Sequence, residues 1–98
     1  MDYSIVWAES ALEDLRQIVR YIAADNTEAA KRVGDAIIGS VEKLSDYPRF
    51  GRVVPELNDE DFRQIVLSPY RIVYEVSDST KRISILRVWH GARGDVEV

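Results

Sequence analysis

Phe62 to Arg93 reads FRQIVLSPYRIVYEVSDSTKRISILRVWHGAR. It holds three short runs rich in Val, Ile, Tyr and Phe: Phe62–Leu67, Tyr70–Val76 and Ile83–Trp89. Ser68-Pro69 divides the first run from the second, and Ser77-Asp78-Ser79-Thr80 divides the second from the third; both breaks carry turn-forming residues. β-Branched and aromatic side chains suit a pleated surface, and breaks this short fit hairpins. The stretch therefore predicts a three-stranded antiparallel meander. Arginines punctuate it at 63, 71, 87 and 93.

Upstream the periodicity changes. Tyr3–Trp7 is a short apolar run centred on Ile5 and Val6, which predicts an opening strand. Ser10 followed by Glu13 matches a capping box, so a helix is expected to start there. Leu12, Leu15, Val19 and Ile22 recur at helical spacing with Ile18 beside them, and Asp14 lies off the stripe. Asp25-Asn26 is a turn pair and a good cap for a second helix over 27–45. Ala30, Val33, Ile37, Val41 and Leu44 form that helix's buried stripe, with Ile38 beside it.

Gly34 and Gly39 each cost that helix about 1 kcal/mol relative to Ala, so packing must sustain it; small residues there let the first helix come close. A turn this short makes the two helices antiparallel neighbours, and an isolated pair would be marginal, so its apolar seam must cover a sheet. Pro48 closes the pair. Residues 49–61 mix Gly, Pro and acidic side chains and read as a loop, with Val53-Val54 as its anchor to the body; Gly94 to Val98 carry no strong pattern and are expected to fray. The expected fold is α+β: an N-terminal strand, placed beside the last one, and an antiparallel helical hairpin on a small sheet completed by the meander. Residues 1–98 are read as one domain.

Alternation places Tyr70, Ile72, Tyr74 and Val76 toward the helices, and Arg71, Val73 and Glu75 on the other face. Arg87 is expected to share a face with Ile85 and Trp89, and to stack on the Trp89 indole or on that of a neighbouring chain.

Composition narrows the function. No apolar run approaches the roughly 20 residues that span a bilayer, and no signal peptide opens the chain. With no cysteine, disulfides and thiolate chemistry are excluded and a reducing cytoplasm is the expected home. A single histidine leaves no cluster to close a metal site, and no cofactor motif is present. Net charge is −4, but it is unevenly spread. Residues 1–48 hold five basic and nine acidic side chains, whereas residues 62–93 hold six basic and two acidic ones. A locally basic sheet on an acidic protein suits an anionic partner surface better than diffuse attraction to a phosphate backbone.

Tyr70-Arg71-Ile72-Val73-Tyr74-Glu75-Val76 followed by Ile85-Leu86-Arg87-Val88-Trp89-His90-Gly91-Ala92-Arg93 resembles the RelE/ParE superfamily of toxins from type II toxin–antitoxin systems. The likeness extends to Asp14-Leu15 through Tyr21-Ile22, similar to the family's first helix, and to Pro48, Gly51 and Arg52, similar to its loop after the second. The resemblance implies a cognate antitoxin protein wrapped over the sheet and hairpin. It also implies a binding surface for antitoxin and target built from Arg63, Arg71, Arg87, Trp89, His90 and Arg93. The bland alternative is that these arginines are solvated, their stems covering apolar sheet.

Two activities fit the resemblance. Ribonuclease members hold the scissile phosphate with arginines at positions like Arg71 and Arg93, and His90 is the only side chain here of a type that titrates near neutrality. Those members commonly add lysines on the first meander strand and a tyrosine after the last arginine. Here that strand reads Arg63-Gln64-Ile65-Val66-Leu67 and the tail Gly94-Asp95-Val96-Glu97-Val98, which lack both. Arg87-Val88-Trp89-His90 looks instead like the ParE branch, whose members are not hydrolases but bind DNA gyrase, trap it on cleaved DNA and block replication. The favoured expectation is a ParE-like gyrase poison; the alternatives are a RelE-like mRNA endoribonuclease that acts with or without the ribosome, and a toxin that keeps antitoxin binding but has lost toxicity.

Overall fold

A computed structural model of the chain describes residues 3–98. In chain order the elements are β1 (Ser4–Trp7), α1 (Glu9–Ala23), α2 (Thr27–Glu42) with a 3₁₀ turn at Lys43–Ser45, β2 (Arg52–Val53), β3 (Phe62–Leu67), β4 (Tyr70–Ser77), β5 (Arg82–His90) and a 3₁₀ turn at Gly91–Arg93. They form one five-stranded sheet in the order β1-β5-β4-β3-β2. The meander pairs antiparallel as expected, with Ile65 opposite Ile72 and Ile72 opposite Val88. β1 lies parallel to β5, Ser4 against Arg82 through Trp7 against Ile85.

The helical hairpin covers one face. Ile37, Val41 and Leu44 from its second arm and Ala11 from its first meet Ile65, Ile72, Tyr74, Val76, Ile83, Ile85 and Val88 from the sheet. Replacing any one of these large aliphatic residues with Ala removes a transfer term and leaves a cavity, at a cost of about 2–5 kcal/mol. The helix approach does not require either glycine: a β-carbon at Gly34 would make ordinary van der Waals contact with Val19 Cγ2 at 3.5 Å, and one at Gly39 would have nothing within 4 Å, contrary to expectation. Asn26 caps α2 by accepting the Ala29 N–H at 3.0 Å.

Four further local expectations are corrected. The capping box does not form: Ala8 is the N-cap of α1 and contributes no side-chain bond. Ser10 instead donates to Leu86 O at 2.7 Å, while Glu13 accepts from Arg16 and Gln17 on the solvent side. A sheet carbonyl within reach competes with the helix's own free N–H groups for that hydroxyl.

The second correction concerns Ile85 and Arg87, which do not share a face. Val73 pairs with Arg87 but Tyr74 pairs with Ile85, so a bulge inserts Leu86 and shifts the alternation by one. Ile83 and Ile85 therefore face the helices, while Arg87 and Trp89 lie opposite Val73 and Arg71 on the other side.

Third, the loop over 49–61 contains a fifth strand, β2, whose Arg52 and Val53 pair with Gln64 and Arg63. Val54 is fully buried, as its anchoring role requires. Fourth, the C-terminal residues dock rather than fray. Val96, 6% exposed, joins Val54, Val73 and Trp89 in a second small core on the face away from the helices.

Candidate functional site

The face away from the helices carries Arg71, Val73, Arg87 and Trp89, because β4 and β5 pair Arg71 with Trp89 and Val73 with Arg87. Trp89 is the centre of this arrangement. Only 3% exposed, it donates from Nε1 to Gly94 O at 3.1 Å. Its ring has the Arg93 guanidinium carbon 4.0 Å from its centre and that of Arg87 at 5.0 Å. Two cations share one indole face system, which orients both without neutralising either.

Two of the four arginines are committed to carboxylates. Arg71 forms a fork with Glu56, Nη1 to Oε2 at 2.7 Å and Nη2 to Oε1 at 2.8 Å, and its Nε donates to Gln64 Oε1 at 2.6 Å. Arg87 does the same with Asp14, Nε to Oδ2 and Nη2 to Oδ1 at 2.8 Å each, and Nη1 donates to Glu97 O. Planar bidentate pairing is the strongest geometry open to a guanidinium. The Arg71 fork is the main cause that holds the Glu56 carboxyl down at about 2, and the carboxylates in turn raise both arginines. Arg93 is exposed and makes no ion pair among the described residues.

Arg63 stands apart. It pairs with Tyr74 and so lies on the helix-facing side of the sheet, where Nε and Nη1 donate to Glu60 O and Gly51 O. Those bonds tie the loop over 49–61 to β3. His90 pairs with Tyr70, also on the helix-facing side, and meets its ring edge-on at 5.5 Å between centroids. Its Nδ1 accepts the Ala92 N–H at 3.0 Å, which leaves Nε2 as the ring nitrogen open to a partner.

The structure thus gathers Arg71, Arg87, Trp89 and Arg93 on one face and leaves Arg63 and His90 off it. Arg71 and His90 leave the sheet on opposite faces at neighbouring registers, yet both line an open recess of about 520 Å³ at the end of the β3–β4 hairpin, with Gln64, Pro69 and Ala92. Glu56 and Asp14, from outside residues 62–93, offset half of the local excess of positive charge read from that stretch.

A groove of about 270 Å³ runs where α1 passes the end of the β4–β5 pair, lined by Ile18, Tyr21, Ile22, Tyr70, His90 and Arg93 among others. Tyr21 is 84% exposed on its rim. An apolar floor with one guanidinium and one imidazole at the end fits a protein segment better than a nucleic-acid backbone, which needs several unpaired cations. Sequence reasoning missed Asp14 and Glu56 as the partners of Arg87 and Arg71. Asp14 carried one signal, its place off the apolar stripe of α1; Glu56 carried none beyond its acidity.

The family described as "ParE toxin of type II toxin-antitoxin system, parDE" matches residues 5–94. Y4kP of Sinorhizobium fredii, a protein classed as a toxin, is 36% identical over 88 residues, covering 88% of this chain and 85% of that one. Among solved structures, the chromosomal ParDE toxin–antitoxin system of P. aeruginosa superposes with a TM-score of 0.71 at 26% identity, over 89% of this chain and 94% of that one. The RelBE2 toxin–antitoxin complex of Mycobacterium tuberculosis superposes at 0.68 and 22% identity, over 92% and 99% of the two chains, and shares the fold.

Proposed function

The chain belongs to the ParE toxin family of type II toxin–antitoxin systems, and from that premise we propose that it poisons DNA gyrase by binding it, blocks replication, and is neutralised by a cognate antitoxin protein. The whole of residues 1–98 acts as one toxin domain, working in the cytoplasm without metal or cofactor. No helix among the described residues is long and apolar enough to cross a membrane.

The observation that carries the reading is the state of the arginines. Cleaving RNA needs a base for the 2′-hydroxyl, an acid for the leaving oxygen, and cations on the phosphate. Arg71 and Arg87 already hold carboxylates, so neither offers a phosphate an unpaired guanidinium, although Arg71 and His90 do line one recess. A protein target asks for less: an oriented guanidinium and an apolar groove, which Arg93, held on the buried Trp89 ring, and the cleft beside Tyr21 supply. The binding surface proposed for target and antitoxin is thus centred on Arg93, with Trp89 as its buried support, Arg71 and Arg87 reached when their carboxylates yield, and His90 lining the groove.

The second reading, an mRNA endoribonuclease using Arg71, Arg93 and His90, draws on the fold shared with RelBE2. Induction of the chain without its antitoxin separates the two. Gyrase poisoning predicts growth arrest with broken chromosomes and intact transcripts by primer extension; new 5′ ends within coding regions favour the ribonuclease. Growth without arrest marks a chain that has lost toxicity.

A further inference from the structure

The C-terminal residues lie over the arginine-bearing face, held by three bonds and one side chain. Val96 N–H donates to Glu56 Oε2 at 3.1 Å, Trp89 Nε1 donates to Gly94 O, and Arg87 Nη1 donates to Glu97 O. Val96 itself packs with Val54, Val73 and Trp89. Glu56 is the shared element. The same Oε2 that receives Val96 N–H receives Arg71 Nη1 at 2.7 Å.

We propose that residues 94–98 form an autoinhibitory strap, latched by Glu56, over a binding surface for an acidic, aliphatic segment of a partner protein. The occupant's chemistry is read from what occupies the surface now. The Arg71 fork holds a carboxylate, and the adjoining recess between Val73 and Trp89 holds a valine side chain. A partner segment that brings both replaces both. When its carboxylate takes the Arg71 fork, Glu56 leaves, and Val96 N–H loses its acceptor. Binding at Arg71 and release of the strap are therefore coupled through one carboxylate. Arg71 and Glu56 side chains are 17% and 18% exposed, so the fork is reachable from solvent at its margin.

The coupling implies that the closed strap weakens partner binding by the fraction of time it is open. It holds whichever macromolecule the toxin poisons, and so fails separately from the gyrase reading.

The test uses the acetylated, amidated peptide VEVEV as probe, with VQVQV as its uncharged control. Binding is measured calorimetrically to the full chain and to two full-length variants, Glu56→Gln and Val96→Ser. The proposal expects at least tenfold tighter VEVEV binding to each variant than to the unaltered chain, and no gain for VQVQV. It also expects that saturating VEVEV removes hydrogen-exchange protection from the Val96 amide of the unaltered chain, a readout that needs no variant to fold. Equal affinity for all three chains, or a saturated chain whose Val96 amide stays protected, overturns it. So does a lack of binding to any of the three.

Discussion

Asp14 and Arg87, 73 positions apart, face each other through two hydrogen bonds of 2.8 Å, and the same carboxylate receives the Val88 N–H at 2.9 Å. β1 accompanies β5 only as far as Ile85, so the rest of that strand has a free edge. Two side chains one helical turn apart close it, Ser10 on Leu86 O and Asp14 on Val88 N–H. A helix thus stands in for the missing strand. This blunts an edge that would otherwise pair with a second chain.

Removing that carboxylate leaves the Val88 N–H unpaired and the Arg87 guanidinium with only Glu97 O and the Trp89 ring. Asp14→Ala is expected to cost about 2–4 kcal/mol, and to favour self-association at concentrations where the unaltered chain stays dispersed. Urea denaturation and light scattering check both. Arg87→Met alone should also destabilise, and the double variant should lose less than the sum, because the pair acts as a unit.

Gly51 and Gly39 are expected to respond oppositely to alanine. A β-carbon at Gly51 would lie 2.5 Å from Gln64 O and 2.8 Å from the Tyr74 hydroxyl, which also accepts the Gly51 N–H. The loop has to move away from β3, so Gly51→Ala should destabilise by about 2–3 kcal/mol. At Gly39 nothing lies within 4 Å of the added carbon, inside α2. Gly39→Ala should stabilise by about 0.5–1 kcal/mol through helix propensity. Thermal melts of the two variants read the contrast.

Acid weakens the latch at Glu56. Its carboxyl sits near 4.5 when free and at about 2 in the fold, chiefly through the Arg71 fork. A depressed carboxyl contributes stability that is complete above the unfolded value and drains away as pH falls from about 4.5 toward 2. With partial solvent screening the contribution is roughly 1–3 kcal/mol. Denaturation midpoints between about pH 5 and pH 2 should fall less steeply for Glu56→Gln than for the unaltered chain.

Arg93 separates binding from folding. Its guanidinium is exposed and rests on Trp89 with no carboxylate partner among the described residues. Arg93→Ala should change stability by no more than about 1 kcal/mol yet weaken target binding by roughly tenfold or more. Melting temperature and growth inhibition on induction, measured side by side, give the comparison.

The meander was legible because strand signals are local: β-branched runs, short breaks and period-two alternation all lie within 32 consecutive residues. The hairpin was legible for the same reason, from stripes such as Ile37, Val41 and Leu44. What escaped depended on residues meeting across the fold. The Ser10–Glu13 pattern meant a capping box only until Leu86 O competed for the hydroxyl. The bulge at Leu86 carries no glycine to announce it. Arg71 and Arg87 looked like free cations because Glu56 and Asp14 lie 15 and 73 positions away. The docking of Val96 rests on a carboxylate that the tail does not itself supply.

On the proposed function, this surface grips a protein and performs no RNA chemistry. Purified chain mixed with DNA gyrase, ATP and relaxed plasmid puts that proposal to trial. Inhibited supercoiling with linear plasmid released after protease and detergent is the predicted result, lost in Arg93→Ala and on adding the antitoxin. Unimpaired supercoiling at toxin in large excess over gyrase, together with cleavage of RNA by the same preparation, would contradict it.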